Sequence, residues 1–339
     1  MPAIYATAPG KVILFGEHAV VYGHPAVAVP VTQVRTKAMV TPNPLSVPGV
    51  IQIDAPDIGL KTALDTLAPD HPLKAAIQSV LTALRIFAPP ALTIRITSTI
   101  PIASGLGSGA AASVAVIRGL SAFLGKPLPD NQVCELAFQV EKIYHGHPSG
   151  IDNTVITYTK PVFFVREQPI QFLPVRSPFT LVIGDTGVQS STARVVGDVR
   201  QGWLADPATY EKLFAEIGSI AVHGRQAVQA GEIQSIGPLM NQNHALLQSL
   251  QVSSPELDRL VKAALAAGAS GAKLCGGGQG GNMIALVSAA TAEDVAAHLI
   301  AAGAKHTIIT TISPEKQSSV EAETQSATPR NSRSTLPGA

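Results

Sequence analysis

Cysteine is scarce. Cys134 and Cys275 are the only two in 339 residues. One lies in a helical pattern and the other in a glycine loop, so neither a disulfide framework nor metal-ligand spacing is present. A reducing compartment fits, and the expected location is the cytoplasm. Charge is also sparse: 14% of residues are charged and the net charge is +1. A nucleic-acid or membrane-surface partner calls for a basic excess, so neither is expected. No apolar run approaches ~18 residues, which leaves no candidate membrane span. The N-terminus has no basic stretch leading into an apolar core, so no secretory leader is expected. What the chain does have is apolar bulk, 46% of its residues. That suits one large or two ordinary domains with a substantial core.

The most informative stretch is residues 100–115: Ile100, Pro101, Ile102, Ala103, Ser104, Gly105, Leu106, Gly107, Ser108, Gly109, Ala110, Ala111, Ala112, Ser113, Val114 and Ala115. The apolar, β-branched run 92–100 before it reads as a strand. Val114, Ala115, Ile117, Leu120 and Leu124 share a helical face after it. Between them, glycine stands at every second position. Glycine lets backbone wrap closely around a ligand and take positive φ. A glycine-rich turn opening a helix aims free N–H groups and the positive helix end at one point. That is an anion site, and phosphate is the usual anion. The plainer reading is a permissive strand-to-helix turn. No Gly-Lys-Ser/Thr closes the loop, and it is not the dinucleotide G-x-G-x-x-G pattern.

Taken in order, residues 3–8 and 11–15 read as extended, with Pro9-Gly10 as a turn. Residues 26–34 and 37–40 are apolar strands, 41–49 a proline-rich loop, and 50–53 a strand. Residues 73–87 have helical spacing and end at Pro89-Pro90. Residues 129–144 form a helix, 145–153 a glycine-proline loop, and 155–158 and 162–165 alternate as strands. A second unit begins with a buried strand at 179–184. Helical patterns follow around 192–203, 208–230, 233–249 and 255–267. Strands are expected at 271–274, 282–287 and 307–312, with a helix at 292–302. This order suggests an α+β sandwich. From Ser313 the chain is polar and nearly free of large apolar residues, and it reads as a disordered tail.

Two further stretches join the glycine loop. One is Pro9-Gly10-Lys11-Val12-Ile13-Leu14-Phe15-Gly16-Glu17-His18, and the other is Lys273-Leu274-Cys275-Gly276-Gly277-Gly278-Gln279-Gly280-Gly281-Asn282. Three motifs in this order resemble the GHMP kinases, over roughly residues 3–312. The stretches running from Glu17 to Ala26 and from His145 to Asn153 look like the mevalonate kinase version in particular. The resemblance implies an α+β, two-domain GHMP kinase fold. Its N-terminal domain, residues 1–175, would be ribosomal protein S5 domain 2-like. Its C-terminal domain, residues 176–312, would be ferredoxin-like, with 313–339 as the tail. It implies ATP and Mg²⁺ as cofactors, mevalonate as phosphoryl acceptor, and a homodimer. Phosphomevalonate and homoserine are the alternative acceptors. A phosphorylated acceptor needs extra basic residues, which the first motif lacks. A non-catalytic binder would need neither Lys11 nor Asp152.

Asp152 follows a glycine-proline loop and precedes an expected strand, where a carboxylate can point into a cleft. A carboxylate beside a hydroxyl can orient it and take its proton, worth about 10²–10⁴-fold. The plainer reading is an Asp capping a turn. Lys11 sits between apolar strand residues, where a solvated lysine is unexpected; the plainer reading is a snorkelling side chain. Glu141 reads on its own as a helix-surface residue paired with a nearby lysine. By resemblance, Asp152 is the catalytic aspartate and Lys11 its supporting ammonium. Glu141, 152 − 141 = 11 residues earlier, is the magnesium ligand. The resemblance also assigns residues 101–112 to ATP, and Glu17, His18, Ser149 and Thr192 to the acceptor alongside Lys11 and Asp152.

The chain departs from the pattern at four places. Relatives usually carry a second serine where this chain has Gly109; Ser108 is the candidate hydroxyl ligand for the metal in its place, with a water in place of the hydroxyl or a role for Ser113 as the alternatives. Ser190 stands where relatives often have an arginine, with Arg194 as a possible substitute. Relatives often read Gly-Ala-Gly-Gly-Gly in the third motif; here Gly277 replaces the alanine and Gln279 a glycine.

Overall fold

The computed structural model describes residues 2–101, 105–145 and 148–314. Ile102, Ala103 and Ser104 of the glycine stretch, Gly146 and His147, and the tail from 315 lie outside the described residues.

The first half is built on a long strand pair. β1 (Ile4–Phe15) runs antiparallel to β2 (Ala26–Pro42). β2 also pairs with β5 (Leu92–Ser98) and with β6 (Val162–Phe164). β3 (Ile51–Ala55) lies parallel to β5, and β4 (Leu60–Ala63) forms that edge. β7 (Gln171–Phe172) forms the other edge beside β6. Helix α2 (Ser108–Phe123) lies on β1 and β2. Its alanines, serines and Gly119 are small, which allows the close approach; Gly119 faces Val40. Helices α1 (Pro72–Ala83), α3 (Asp130–His145) and α4 (Ile151–Tyr158) pack around α2.

The second half contains β8 (Phe179–Asp185), β9 (Gly271–Cys275), β10 (Asn282–Val287) and β11 (His306–Ile312). They pair antiparallel in the order β11-β8-β10-β9. The unit's first strand therefore lies inside, between its third and its last, which is the ferredoxin-like arrangement that the family resemblance implied. Helices α5 (Thr192–Ala205), α6 (Pro207–Ala230), α7 (Ile233–Ser249) and α8 (Pro255–Ala266) connect β8 to β9. α9 (Ala292–Ala301) connects β10 to β11.

The structure corrects the sequence expectation in one functionally important place. Residues 155–158 are not a strand but the last half of α4, so Asp152 stands in the first turn of a helix. Gly150, at φ 89, turns the chain into that helix, and the Thr154 hydroxyl donates to the Gly150 carbonyl at 2.7 Å. α4 is only eight residues long and buried nearly all round, and Thr154, Val155, Ile156 and Thr157 are all β-branched. Threonine, valine and isoleucine then imitate a strand. The 73–87 helix also ends early, at Ala83, and Arg85 turns left-handed at φ 54. The short strands β4 and β7 gave no recognisable signal.

β1 shows how the halves meet. Its first residues alternate between half-buried and exposed, as on a sheet with one wet face. From Ala8 to Phe15 every residue is buried, because this part runs between β2 and the second half. Phe15 is fully buried and lies against Gly224 of α6. A Cβ at 224 would come within 2.4 Å of the Phe15 ring. Gly224→Ala should therefore overpack this joint and cost about 1–3 kcal/mol. A urea titration would show a lower midpoint; an unchanged midpoint would mean that α6 does not hold Phe15 this tightly.

Candidate active site

The chemistry of the site begins with a charge taken out of water. Lys11 follows an irregularity in β1: Pro9 pairs with Arg35, whereas Gly10 pairs with Val31. The step carries Lys11 into the buried half of the strand, with its side chain 4% exposed. Its Nζ lies 3.0 Å from Asp152 Oδ1. Asp152 comes from the start of α4, where the positive helix end favours a carboxylate. Burial is the largest single influence on Lys11 and opposes its charge. Asp152, Cys275 and Glu141 together outweigh it, so the ammonium is held above its usual range. Glu141, from α3, is buried rather than on the surface. Burial, and then the charge of Asp152, push its carboxyl up to about 8, with Lys11 opposing.

The glycine loop lies directly over this lysine. The Lys11 N–H donates to the Leu106 carbonyl at 3.0 Å. Gly107, at φ 77, precedes α2; a Cβ there would meet Ile156 at 2.7 Å and the Lys11 stem at 3.2 Å. Only glycine satisfies both the conformation and the contact. Leu106, Ala110 and Ala111 are buried, so they offer a ligand backbone alone. Ser108 opens α2 with its first N–H groups, a ready anion site. Gly109 is exposed, and a Cβ there would meet nothing within 4 Å. Ser113 is accounted for, since it donates to the Gly109 carbonyl at 3.1 Å.

Glu17 and His18 follow β1. Glu17 Oε1 pairs with Lys273 Nζ, and both side chains are sealed from solvent. Glu17 Oε2 accepts from Asn243 Nδ2 at 3.3 Å, and Lys273 also donates to the Leu274 carbonyl at 2.7 Å. A first-half carboxylate is thus clamped by β9 and α7 of the second half. His18 sits at φ 60 and shares a 2.9 Å hydrogen bond with the Gly277 carbonyl through Nε2. A carbonyl can only accept, so Nε2 carries the proton and Nδ1 is left as an acceptor. Burial, reinforced by Lys273, lowers the ring to about 4 even though the Gly277 bond opposes this. The histidine is neutral at physiological pH.

Lys11, Glu17, His18, Glu141, Ser149, Asp152, Thr192 and Gly105 line one cavity of about 610 Å³, with Gly276 and Gly277 of the third motif. α5 contributes one helical face: Thr192, Val196, Arg200 and Trp203. Arg166 enters from beyond β6, its Nη1 donating to the Val21 carbonyl at 3.3 Å. Ser149 accepts from the Ile151 N–H at 3.4 Å, and the Thr192 side chain lies against Gly277. Arg194, suggested above for a substrate carboxylate, is instead exposed and lies 3.9 Å from Asp198. Sequence reading missed Lys273, Arg166 and Arg200. A lone lysine in the apolar run Gly271–Cys275 was a usable signal for Lys273. Arg200, eight residues after Thr192, could have been placed on the same helix face. Arg166 left no signal.

The description "GHMP kinases N terminal domain" matches residues 72–160, and "GHMP kinases C terminal" matches residues 225–305. The mevalonate kinase of Thermococcus onnurineus is 36% identical over 337 residues, 92% of this chain and 97% of the relative. That of Pyrococcus horikoshii is 35% identical, covering 88% and 93%. The chain belongs to the GHMP kinases, in the mevalonate kinase family. Among solved structures, L. major mevalonate kinase in complex with R-mevalonate has a TM-score of 0.79 at 32% identity, covering 92% of this chain and 96% of that one. Methanococcus jannaschii mevalonate kinase gives 0.79 at 26%, covering 93% and 99%. Among the described residues, no helix of this mevalonate kinase family member is long and apolar enough to cross a membrane.

A magnesium ion suits the donor set. Glu141 and Asp152 are hard oxygen donors, and a carboxyl raised to about 8 by burial and then by a neighbouring carboxylate is one that a divalent cation would relieve.

The neutral His18 makes stability depend on acidity. Its folded value of about 4 lies below the free value of 6.5. The unfolded chain therefore takes the proton first, and stability that is full above pH 6.5 is lost as the pH falls toward 4. Going from pH 8 to pH 5, His18 should cost the fold roughly 2 kcal/mol. His18→Gln keeps a donor for Gly277 but cannot be protonated. Denaturant unfolding at the two pH values should show a smaller acid loss in the variant; equal losses would mean that His18 is not buried as a neutral ring.

Proposed function

We propose that the protein transfers the γ-phosphoryl group of ATP to the 5-hydroxyl of mevalonate, giving 5-phosphomevalonate and ADP for isoprenoid synthesis. The observation that carries this reading is the 3.0 Å pair of Lys11 and Asp152 on the wall of a cavity beneath the glycine loop. Mere binding needs no buried ammonium beside a carboxylate. Asp152 orients the hydroxyl and accepts its proton as the bond to phosphorus forms. Lys11 keeps Asp152 ionised and offsets charge on the transferred group. The backbone of residues 105–109 and the start of α2 hold the ATP phosphates. Glu141 and Asp152 are the residues that would hold magnesium, with the Ser108 hydroxyl as a further ligand. When bound, the metal would supply neutralisation of phosphate charge.

At the acceptor end, His18 Nδ1 accepts from a hydroxyl, with Ser149 and Thr192 on the walls. Glu17 serves through its ion pair, which fixes the residue before His18. Arg166 and Arg200 supply the positive charge for the acceptor carboxylate that Ser190 cannot. The division of the chain near residue 175, a homodimeric assembly and a cytoplasmic location belong to the same proposal.

Two guanidinium groups in the cavity could also hold a phosphate, and this observation keeps phosphomevalonate as the second reading. ADP release against mevalonate, phosphomevalonate, homoserine and galactose separates the two. Turnover with mevalonate, at least about tenfold better in kcat/KM than with the others, is expected. Turnover confined to phosphomevalonate or homoserine would overturn the first reading.

A further inference from the structure

Gln279 occupies a backbone position that suits glycine. Its φ is 57, in the left-handed region. A residue with a Cβ strains there unless its surroundings hold it. What holds Gln279 is the turn that ends α7. Gln251 in that turn is itself left-handed, at φ 60, and leaves two consecutive carbonyls facing the loop. The Gln279 side-chain amide donates to the Gln251 carbonyl at 2.7 Å, and its backbone N–H donates to the Val252 carbonyl at 2.8 Å. Next to it, Gly278 lies so close that a Cβ would fall 2.0 Å from the Val252 oxygen.

The other end of the loop is tied separately. The Gly281 N–H donates to the Val188 carbonyl at 2.9 Å. The Thr186 backbone N–H and hydroxyl both donate to the Gly281 carbonyl, at 2.9 and 2.8 Å. Between the two ties and β9 stand Gly276 and Gly277, which line the cavity. Gly277 is where His18 donates its proton-bearing Nε2. Glycine has no side chain with which to hold a conformation, so a loop this rich in it keeps its shape through anchors.

We propose that Gln279 is a positioning residue for phosphoryl transfer. Its amide pins residues 276–281 to the α7–α8 turn and so fixes the Gly277 carbonyl that orients His18. The strained backbone is kept because the side chain that causes the strain also makes the pin. The kinetic arm of the test rests on the mevalonate kinase reading above; the exchange arm does not.

Gln279→Gly relieves the strain and removes the pin. Gln279→Lys keeps the strain and keeps a donor of similar reach. In Gln279→Gly the ligand-free protein should exchange the backbone amide hydrogens at position 279 and at Gly281 at least about tenfold faster than wild type. The KM for mevalonate should rise about five- to tenfold while kcat changes by less than about threefold. Gln279→Lys should restore both toward wild type. A purely local role would leave KM unmoved. Unchanged exchange and unchanged KM in Gln279→Gly would overturn the proposal, as would a Gln279→Lys variant no better than Gln279→Gly. If the unaltered protein does not use mevalonate, the kinase reading fails, and amide exchange alone decides whether the pin exists.

Discussion

A buried ammonium held against a half-buried carboxylate is the constraint on which this structure turns. Lys11 alone at its depth would be driven toward its neutral form, and Glu141 is driven that way. Asp152 allows Lys11 to stay charged. Everything close by serves that meeting. The register step in β1 brings the lysine inward. The turn at Gly150 starts α4 and places the aspartate in its first turn. Gly107 lets the glycine loop close over the lysine stem. The result is a compact ion pair beneath the glycine loop.

A second ion pair, Glu17 with Lys273, is fully buried and joins the halves. Such a pair is weak evidence for stability, because desolvation offsets much of the attraction. Removing one partner, however, strands the other in a dry interior. The pair therefore specifies how the halves meet more than how tightly. His18 depends on it twice: through the chain from Glu17, and through the Gly277 carbonyl a few residues beyond Lys273. The cavity has walls from β1, α3, α4, α5 and the third glycine motif, so neither half alone contains it.

Much of this was legible in the chain. Alternating glycines marked the turn between a strand and a helix, the element order after residue 179 announced an α+β unit, and the family resemblance implied its ferredoxin-like arrangement. Lys11 stood out because lysine is foreign to an apolar strand. Other features had no local signature. α4 hid because it is short and its β-branched run from Thr154 to Thr157 imitates a strand. Glu141 looked like a surface glutamate because its burial depends on α3 meeting Lys11 and Asp152, which are distant in sequence. Arg166 and Arg200 converge only after the sheet and α5 are in place. Gln279 became interpretable only when the carbonyls of Gln251 and Val252 were found beside it.

The central claim is that Lys11 and Asp152 act as one unit, and a double-mutant cycle in turnover tests it most directly. Lys11→Met and Asp152→Asn each remove one member at similar size. If the two act together, each single variant should lose about 10²-fold or more in kcat, and the double variant should be within about threefold of the worse single. Losses that simply multiply would contradict the account, because they would mean that the lysine and the aspartate contribute independently.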